Sequence, residues 1–255
     1  MKKQNFTQFV TVTSSLCFFG LLAIAPGAKA GMVTYSMNGQ SYEGYFAKKS
    51  ASAPLVILIH DWDGLTGYEI KRAEMLKKRG YSVFALDLFG KGVRPTEDKD
   101  KKQHTGELYK DRKKMRAVIQ AGIDTAKKNG LNTANAVIAG YCFGGAAVLE
   151  YARSGANLKG FATFHGGLAT PEGQDYSKTK GKVIIFHGSA DSSIKMNDFA
   201  KLTNELEASG VSHEMITYSG APHAFTVFGS DRYRADADKK SWARFLEFLK
   251  DATRK

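Results

Sequence analysis

A cysteine, an aspartate and a histidine each follow a short apolar run in the second half of this 255-residue sequence. They are Cys142, Asp191 and His223. A thiol can attack a carbonyl carbon, an imidazole can take up and return the proton, and a carboxylate can hold the imidazole in the required tautomer. These residue types at these places predict acyl-transfer chemistry, with Cys142 as the nucleophile, His223 as the base and Asp191 as the residue that orients it.

Two glycines flank the cysteine in the pattern Gly140-Tyr141-Cys142-Phe143-Gly144. We expect a tight strand-to-helix turn there, in which side chains at positions 140 and 144 would collide with neighbouring backbone. The cysteine would then project above the sheet, and the positive end of the following helix would favour its thiolate form. Taken alone, the pattern is more typical of a packing turn with a buried, inert cysteine, because short glycine patterns are common. It is not a phosphate-binding loop, because no Lys-Ser or Lys-Thr pair follows.

The surrounding sequence alternates between short apolar runs and stretches with helical periodicity. Runs that are apolar without alternation are typical of strands covered on both faces, as in a parallel sheet between helices. The predicted strands are 56–59, 83–88, 136–139, 160–164, 183–186 and 214–218, and the predicted helices are 68–78, 108–128, 197–209 and 235–252. The pattern predicts an α/β fold with one mostly parallel, doubly wound sheet. The polar stretch 94–106 is expected to be a surface excursion.

An Asn38-Gly39 pair between two β-prone stretches predicts an N-terminal antiparallel hairpin. Five prolines, no internal repeat and no long linker indicate a single domain over 31–255. Reactive groups in such sheets gather at the carboxyl ends of the strands. Cysteine, acid and histidine also follow one another in the order found in α/β-hydrolases.

The first thirty residues are predicted to be a secretory signal peptide. Lys2 and Lys3 give a basic start, 16–25 is apolar, and Ala28-Lys29-Ala30 fits a cleavage site. The apolar run is shorter than the roughly 20 residues that span a bilayer, so we expect no stable membrane insertion after cleavage. The mature protein is therefore expected to be exported, either to the periplasm or into the medium. Cys142 would be its only cysteine: inert, paired between chains, or present for its chemistry.

The amino-acid composition excludes several classes of protein. With 43% hydrophobic and 24% charged residues the chain is not a disordered protein. The formal net charge of +12 falls to +9 when the three lysines of the signal peptide are removed. Lysine and arginine are spread along the chain, which indicates a solvated surface and no nucleic-acid partner. His60, Asp61 and Asp63 lack a fourth metal ligand, so we expect neither a metal nor another cofactor.

Several segments together resemble the dienelactone hydrolase family. They are 56–61, 85–88, 140–145, His187-Gly188 with Asp191, and 222–225, and Gly-x-Cys-Phe-Gly-Gly in 140–145 is the most specific mark. The resemblance implies an α/β-hydrolase fold and a Cys-Asp-His triad that acts on ester or lactone carbonyls without a metal. It also implies an oxyanion hole formed by the backbone amides of Trp62 and Phe143.

The sequence departs from the family pattern in its substrate-binding residues. Asp61 stands where dienelactone hydrolases proper carry a glutamate that contacts the resting thiol. Lys91 and Val227 stand where those enzymes clamp a substrate carboxylate with arginines. Both an anionic lactone and a less charged ester therefore remain open as substrates. His60 could line the pocket, although a hydrogen-bonded structural role is the stronger expectation.

These observations predict an exported hydrolase that cleaves a small ester or lactone through a thioester on Cys142. The alternative is a catalytically silent ligand-binding or thiol-sensing protein on the same scaffold. The sequence does not decide the oligomeric state, and a monomer is the simpler expectation. The expected partner is a small-molecule ester or lactone.

Overall fold

The computed structural model describes Met1 and residues 29–254, in which the apolar runs form one eight-stranded sheet. The strands are β1 (Ala30–Met37), β2 (Gln40–Ala47), β3 (Pro54–Ile59), β4 (Ser82–Leu86), β5 (Asn132–Tyr141), β6 (Gly160–Phe164), β7 (Lys182–Gly188) and β8 (His213–Tyr218). The helices are α1 (Gly67–Lys78), α2 (Asp98–Lys110), α3 (Arg112–Lys128), α4 (Phe143–Arg153), α5 (Met196–Ala208) and α6 (Ala235–Ala252).

The strands lie in the order β1-β2-β4-β3-β5-β6-β7-β8. Strands β3 to β8 pair in parallel, whereas β2 pairs antiparallel with both β1 and β4. Asn38 and Gly39 connect β1 to β2 with φ angles of 50° and 80°, the left-handed conformation that a tight two-residue hairpin turn requires. The predicted mostly parallel sheet with an N-terminal antiparallel hairpin is confirmed.

Both faces of the sheet are buried, which explains the unbroken hydrophobicity of its strands. In β3 the side chains of Leu55, Ile57 and Ile59 enter one core, and those of Val56 and Leu58 enter the other. Helices α3, α4 and α5 cover the first face, while α1 and α6 cover the second. Because both layers hold the sheet rigidly, the loops at its carboxyl edge start from well-defined positions.

The region before α3 differs from the prediction. A surface excursion over 94–106 and one helix over 108–128 were expected, but the structure has two helices, α2 and α3, that meet at Asp111. The Asp111 carboxylate accepts the backbone N–H of Lys114 at 2.9 Å and so caps α3. Helix α2 buries only Thr105 and Leu108, so its sequence carries almost no apolar stripe.

The predicted signal peptide lies outside the described residues except for Met1, Lys29 and Ala30, the last of which begins β1. Within residues 29–254, no helix has the length and apolar character needed to cross a bilayer. The single domain over 31–255 stays a prediction.

A buried arginine links α1 and α6, which cover the same face of the sheet, to the loop after β8. Arg72 on α1 forms an ion pair with Asp238 on α6, and its Nη2 group also donates to the backbone carbonyl of Thr226 at 2.9 Å. The Thr226 hydroxyl in turn lies 2.8 Å from Nε2 of His165. These contacts anchor the chain three residues after His223.

Candidate active site

Cys142 occupies a sharp turn between β5 and α4. Its backbone has φ 51° and ψ −113°, a conformation that L residues rarely adopt. A Cβ atom on Gly140 would lie 2.2 Å from the carbonyl oxygen of Gly144, and one on Gly144 would lie 2.5 Å from that of His60. The predicted steric need for glycine on both sides is confirmed. The strained turn places the cysteine at the carboxyl edge of the sheet.

The structure brings the three predicted chemical groups into one hydrogen-bonded chain. Nδ1 of His223 lies 2.7 Å from Oδ2 of Asp191, and Nε2 lies 3.0 Å from Sγ of Cys142. Cys142 follows β5, Asp191 follows β7 and His223 follows β8, so parallel strands of one sheet place all three at the same edge.

Asp191 is held by the backbone as well as by the histidine. Its Oδ1 atom accepts the N–H groups of Ser193 and Ile194, each at 2.9 Å. Burial raises the pKa of Asp191, but the hydrogen bonds from His223 and the Ile194 amide outweigh it and hold the pKa below the ordinary value. The carboxylate therefore remains charged at neutral pH and keeps Nδ1 of His223 protonated.

The surroundings of His223 shift its pKa strongly. Burial lowers its pKa, but the hydrogen bonds to Asp191 and Cys142 outweigh burial and raise the pKa from 6.5 to about 10. At neutral pH the ring is thus an imidazolium that can donate Nδ1–H to the carboxylate and Nε2–H to the sulfur. This arrangement suits a nucleophile that must be activated before substrate arrives.

The two residues predicted to supply an oxyanion hole lie at the ends of neighbouring strands. Phe143 is the first residue of α4, so its N–H has no acceptor within the helix. Trp62 follows Asp61 beyond the end of β3, and Nζ of Lys101 lies 5.0 Å from the centre of its ring. Their joint role stays a prediction.

Asp61 is buried beside the site, but it forms no hydrogen bond with Cys142 within the described residues. Its Oδ1 atom accepts the N–H of Asp63 at 2.8 Å. Burial raises the pKa of Asp61 to about 6. The predicted contact with the thiol therefore does not take the form of a hydrogen bond here.

His60 has the structural role that the sequence favoured. Its Nε2 atom accepts the backbone N–H of Leu88 at 3.0 Å, so Nδ1 is the protonated nitrogen and donates to the carbonyl of Asp61 at 2.6 Å. Burial lowers the pKa of His60 to about 4, which keeps the ring neutral. Both nitrogens are engaged within the fold and neither is free for substrate.

Lys91 and Val227 align with the arginines by which the family binds a substrate carboxylate, but in this structure both have other contacts. The Lys91 ammonium lies 3.3 Å from the Thr34 hydroxyl and 3.6 Å from a Glu43 carboxylate oxygen, both on the N-terminal hairpin. Val227 is half-buried in the turn after His223, where its N–H donates to the carbonyl of Ala224. Neither residue forms a hydrogen bond with a member of the Cys142–His223–Asp191 chain.

Sequence reasoning missed two residues close to the site. Thr226 binds the neighbouring His165, whose ring lies edge-to-face with that of His223 at 5.4 Å between centroids. Tyr109, on α2, packs against Phe143 at 5.4 Å between ring centroids. Both contacts join segments remote in sequence, and no motif in the chain marks either residue.

Across residues 29–254, no group of three histidine, cysteine, aspartate or glutamate side chains is arranged to hold a metal ion.

Comparison with known proteins decides the family. The model of the dienelactone hydrolase family matches residues 42–253. The chain belongs to the dienelactone hydrolase family. Membership makes it a hydrolase of the ester and lactone type, as the sequence resemblance implied, and confirms the α/β-hydrolase fold.

Three similar proteins share about a quarter of their residues with this chain. A solved structure named m3DLH is 25% identical, with a TM-score of 0.82 over 88% of this chain and 98% of that one. A dienelactone hydrolase-like promiscuous phosphotriesterase from metagenomic libraries is 26% identical, with a TM-score of 0.80 over 88% and 98%. A Yersinia pestis protein, provisionally named carboxymethylenebutenolidase, is 25% identical over 88% of each chain.

We predict that Gly144→Ala lowers the free energy of unfolding by about 2 kcal/mol, because the added Cβ meets the backbone of β3. Gly106→Ala on α2 is the matched control: nothing lies within 4 Å of its added Cβ, and alanine is the better helix former. Urea unfolding of the two variants measures the difference. Equal stability of the two would contradict the close-packed turn.

The raised pKa of His223 predicts a pH dependence of stability. A group whose pKa rises on folding stabilises the folded state fully below its unfolded pKa, near 6.5, and loses that contribution as pH rises to about 10. The difference in unfolding free energy between wild type and His223→Gln should therefore be largest at pH 6 and shrink steadily towards pH 10. A difference that does not vary with pH would show that the ring is not held as an imidazolium.

Proposed function

We propose that the chain is an exported hydrolase that cleaves a small ester or lactone through a Cys142 thioester. The observation that carries this proposal is the hydrogen-bonded chain from the Asp191 carboxylate through the His223 ring to the Cys142 sulfur. A protein that only binds a ligand has no need of an imidazole held between a thiol and a carboxylate.

The proposed reaction begins with attack of the Cys142 sulfur on the substrate carbonyl. The carbonyl oxygen gains negative charge and accepts hydrogen bonds from the backbone N–H groups of Trp62 and Phe143. In comparable sites each such hydrogen bond stabilises the transition state by roughly 3 kcal/mol. The tetrahedral intermediate collapses, the bond to the leaving oxygen breaks, and His223 gives its Nε2 proton to that oxygen. The acyl group is then joined to sulfur as a thioester.

Water completes the turnover. The neutral His223 ring takes a proton from a water molecule, and the hydroxide formed attacks the thioester carbonyl. The carbon–sulfur bond breaks, the acid leaves, and the thiolate–imidazolium pair is restored. Asp191 holds the ring orientation throughout and stays ionised, which its two backbone amide donors support.

The names of relatives support a lactone or ester substrate. The Yersinia pestis relative is provisionally named as an enzyme that opens a butenolide lactone. A Bradyrhizobium relative, 27% identical over 86% of this chain and 92% of that one, carries the provisional name of a lactonase acting on an oxofuranylidene propanoate. We propose the same bond class for this chain.

Export is proposed from the signal-peptide pattern of residues 1–30. Mass spectrometry of the secreted or periplasmic protein should find Gly31 as its first residue; an uncleaved N-terminus would contradict the proposal.

We predict that Cys142→Ala and His223→Gln each lower kcat/KM for 4-nitrophenyl acetate by at least about a thousandfold, because one loses the nucleophile and the other its base. His213→Gln is the matched control, since its ring lies at the start of β8 and contacts the Val211 carbonyl instead. Initial rates on folded protein, verified by circular dichroism, measure the effect. Hydrolysis by Cys142→Ala at the wild-type rate would exclude Cys142 as the nucleophile, whereas the absence of hydrolysis by the wild type would leave a silent binder as the better description.

A further inference from the structure

His165 directly follows β6, the strand between the two that carry the nucleophile and the acid. Strands β5, β6, β7 and β8 are consecutive neighbours in the sheet, and they are followed in turn by Cys142, His165, Asp191 and His223. The proposed reaction uses three of these four residues and leaves His165 without a role. Its side chain is fully buried, and among the described residues it is the only one whose ring packs against that of His223.

The His165 ring contacts three residues of the short segment that carries His223. Its centroid lies 5.4 Å from that of His223 and 5.4 Å from that of Phe225, and both pairs are edge-to-face. Its Nε2 atom lies 2.8 Å from the hydroxyl oxygen of Thr226. The backbone N–H of His165 donates to the carbonyl of Phe186 on β7 at 2.8 Å. The segment therefore packs on a ring whose own backbone is bonded to the sheet.

A chain of hydrogen bonds from α1 fixes where the proton of the His165 ring lies. Nε of Arg72 donates to the hydroxyl oxygen of Tyr68 at 3.2 Å. Because that oxygen accepts a proton from Arg72, the Tyr68 O–H group donates onward to the Thr226 oxygen, 2.7 Å away. The Thr226 hydroxyl then donates its own proton to Nε2 of His165. The ring is therefore the neutral tautomer with its proton on Nδ1.

A neutral ring suits the position beside His223, which is an imidazolium at neutral pH. Burial lowers the pKa of His165 well below its ordinary value, and the charges of His223 and Arg72 lower it further. A neutral aromatic ring attracts a neighbouring cation, whereas a second imidazolium would repel it. His165 can therefore pack against His223 both before and after that ring gives up its proton.

Two local features of His165 are unfavourable for stability. Its φ of 41° lies in the left-handed region, where residues other than glycine are uncommon. Its buried Nδ1–H group has no acceptor among the described residues. Such features persist where the surrounding structure holds a residue in place, and they are typical of functional sites. The Arg72 guanidinium provides this support, because it also binds Asp238 on α6 and the carbonyl of Thr226.

We propose that His165 is a positioning residue that keeps the His223 ring beside the sulfur while the Cys142 thioester is hydrolysed. This inference rests on the proposed ester or lactone hydrolysis. In the resting protein both nitrogens of the His223 ring are held, Nδ1 by Asp191 and Nε2 by Cys142. In the thioester the sulfur has lost its negative charge and no longer holds Nε2. The ring is then held by Asp191 and by its contact with His165, and its free Nε2 must accept a proton from water.

The proposal states which step of the reaction depends on His165. The 4-nitrophenolate ion leaves without a proton, so formation of the thioester from 4-nitrophenyl acetate needs only the thiolate of the resting ion pair. Hydrolysis of the thioester needs the His223 ring as a base. The ratio kcat/KM reports the steps up to thioester formation, whereas kcat reports the slowest step. Loss of His165 should therefore lower kcat and leave kcat/KM nearly unchanged.

Four variants test the proposal with 4-nitrophenyl acetate. His165→Ala removes the ring, Thr226→Val removes the hydroxyl with little change of shape, and Thr226→Ser keeps the hydroxyl. Thr125→Val is the matched control, because the hydroxyl of this buried threonine donates to the carbonyl of Ala121 within α3. Steady-state rates give kcat and KM. Intact-protein mass spectrometry of acid-quenched samples measures the fraction of the protein that carries an acetyl thioester.

We expect His165→Ala and Thr226→Val to lower kcat by at least about tenfold and to change kcat/KM by less than about threefold. Both variants should accumulate the acetyl thioester in the steady state to a higher fraction than wild type. Thr226→Ser should recover at least about half of the wild-type kcat, since serine supplies the same hydroxyl donor. Thr125→Val should match wild type in both parameters.

Several results would overturn the proposal. An equal fall of kcat and kcat/KM in His165→Ala would show that the ring only maintains the folded site, and an unchanged kcat would show that it takes no part in thioester hydrolysis. If Thr226→Ser is as slow as Thr226→Val, the hydroxyl does not hold the ring. Each of these results leaves the proposed function intact, whereas a wild type that neither hydrolyses the ester nor acquires an acetyl group removes the proposed function and this inference with it. Should His165→Ala or Thr226→Val fail to fold, the other variant decides the question.

Discussion

The imidazole of His223 joins the three segments on which the site depends. Its two nitrogens bind groups that follow different strands, Asp191 after β7 and Cys142 after β5, and the histidine itself follows β8. Such a bridge requires parallel strands whose carboxyl ends meet at one edge, and it requires a turn tight enough to raise the cysteine. The buried double-layered sheet and the glycines at 140 and 144 meet these two requirements.

Buried charge in this fold is handled in two ways with different consequences. The Asp191 carboxylate is stabilised mainly by backbone amides and one imidazole, so it can orient the ring without acquiring the proton. The Glu150 carboxylate is surrounded by three arginines, more cations than its own charge balances. The first arrangement serves proton transfer, and the second links α4 to α3, which carries Arg112 and Arg116.

Local rules predicted much of this molecule, and long-range contacts account for the rest. The strands, the hairpin at Asn38-Gly39 and the glycine turn follow from hydrophobic period and steric limits within a few residues. Helix α2 was not predicted because it buries so few apolar side chains. The partners of Lys91 lie across the hairpin, and Arg112 meets Glu150 across 38 residues of sequence. Hydrogen bonds between residues so far apart in sequence cannot be predicted from the pattern of a single sequence.

The central claim is that Cys142 forms a thioester whose removal needs His223. Intact-protein mass spectrometry after rapid mixing with 4-nitrophenyl acetate tests it most directly. The account predicts a transient mass increase of one acetyl group on wild type, located on the peptide that contains Cys142, and no increase in Cys142→Ala. Hydrolysis by wild type with the acetyl group on another residue, or undiminished labelling of Cys142→Ala, would contradict it.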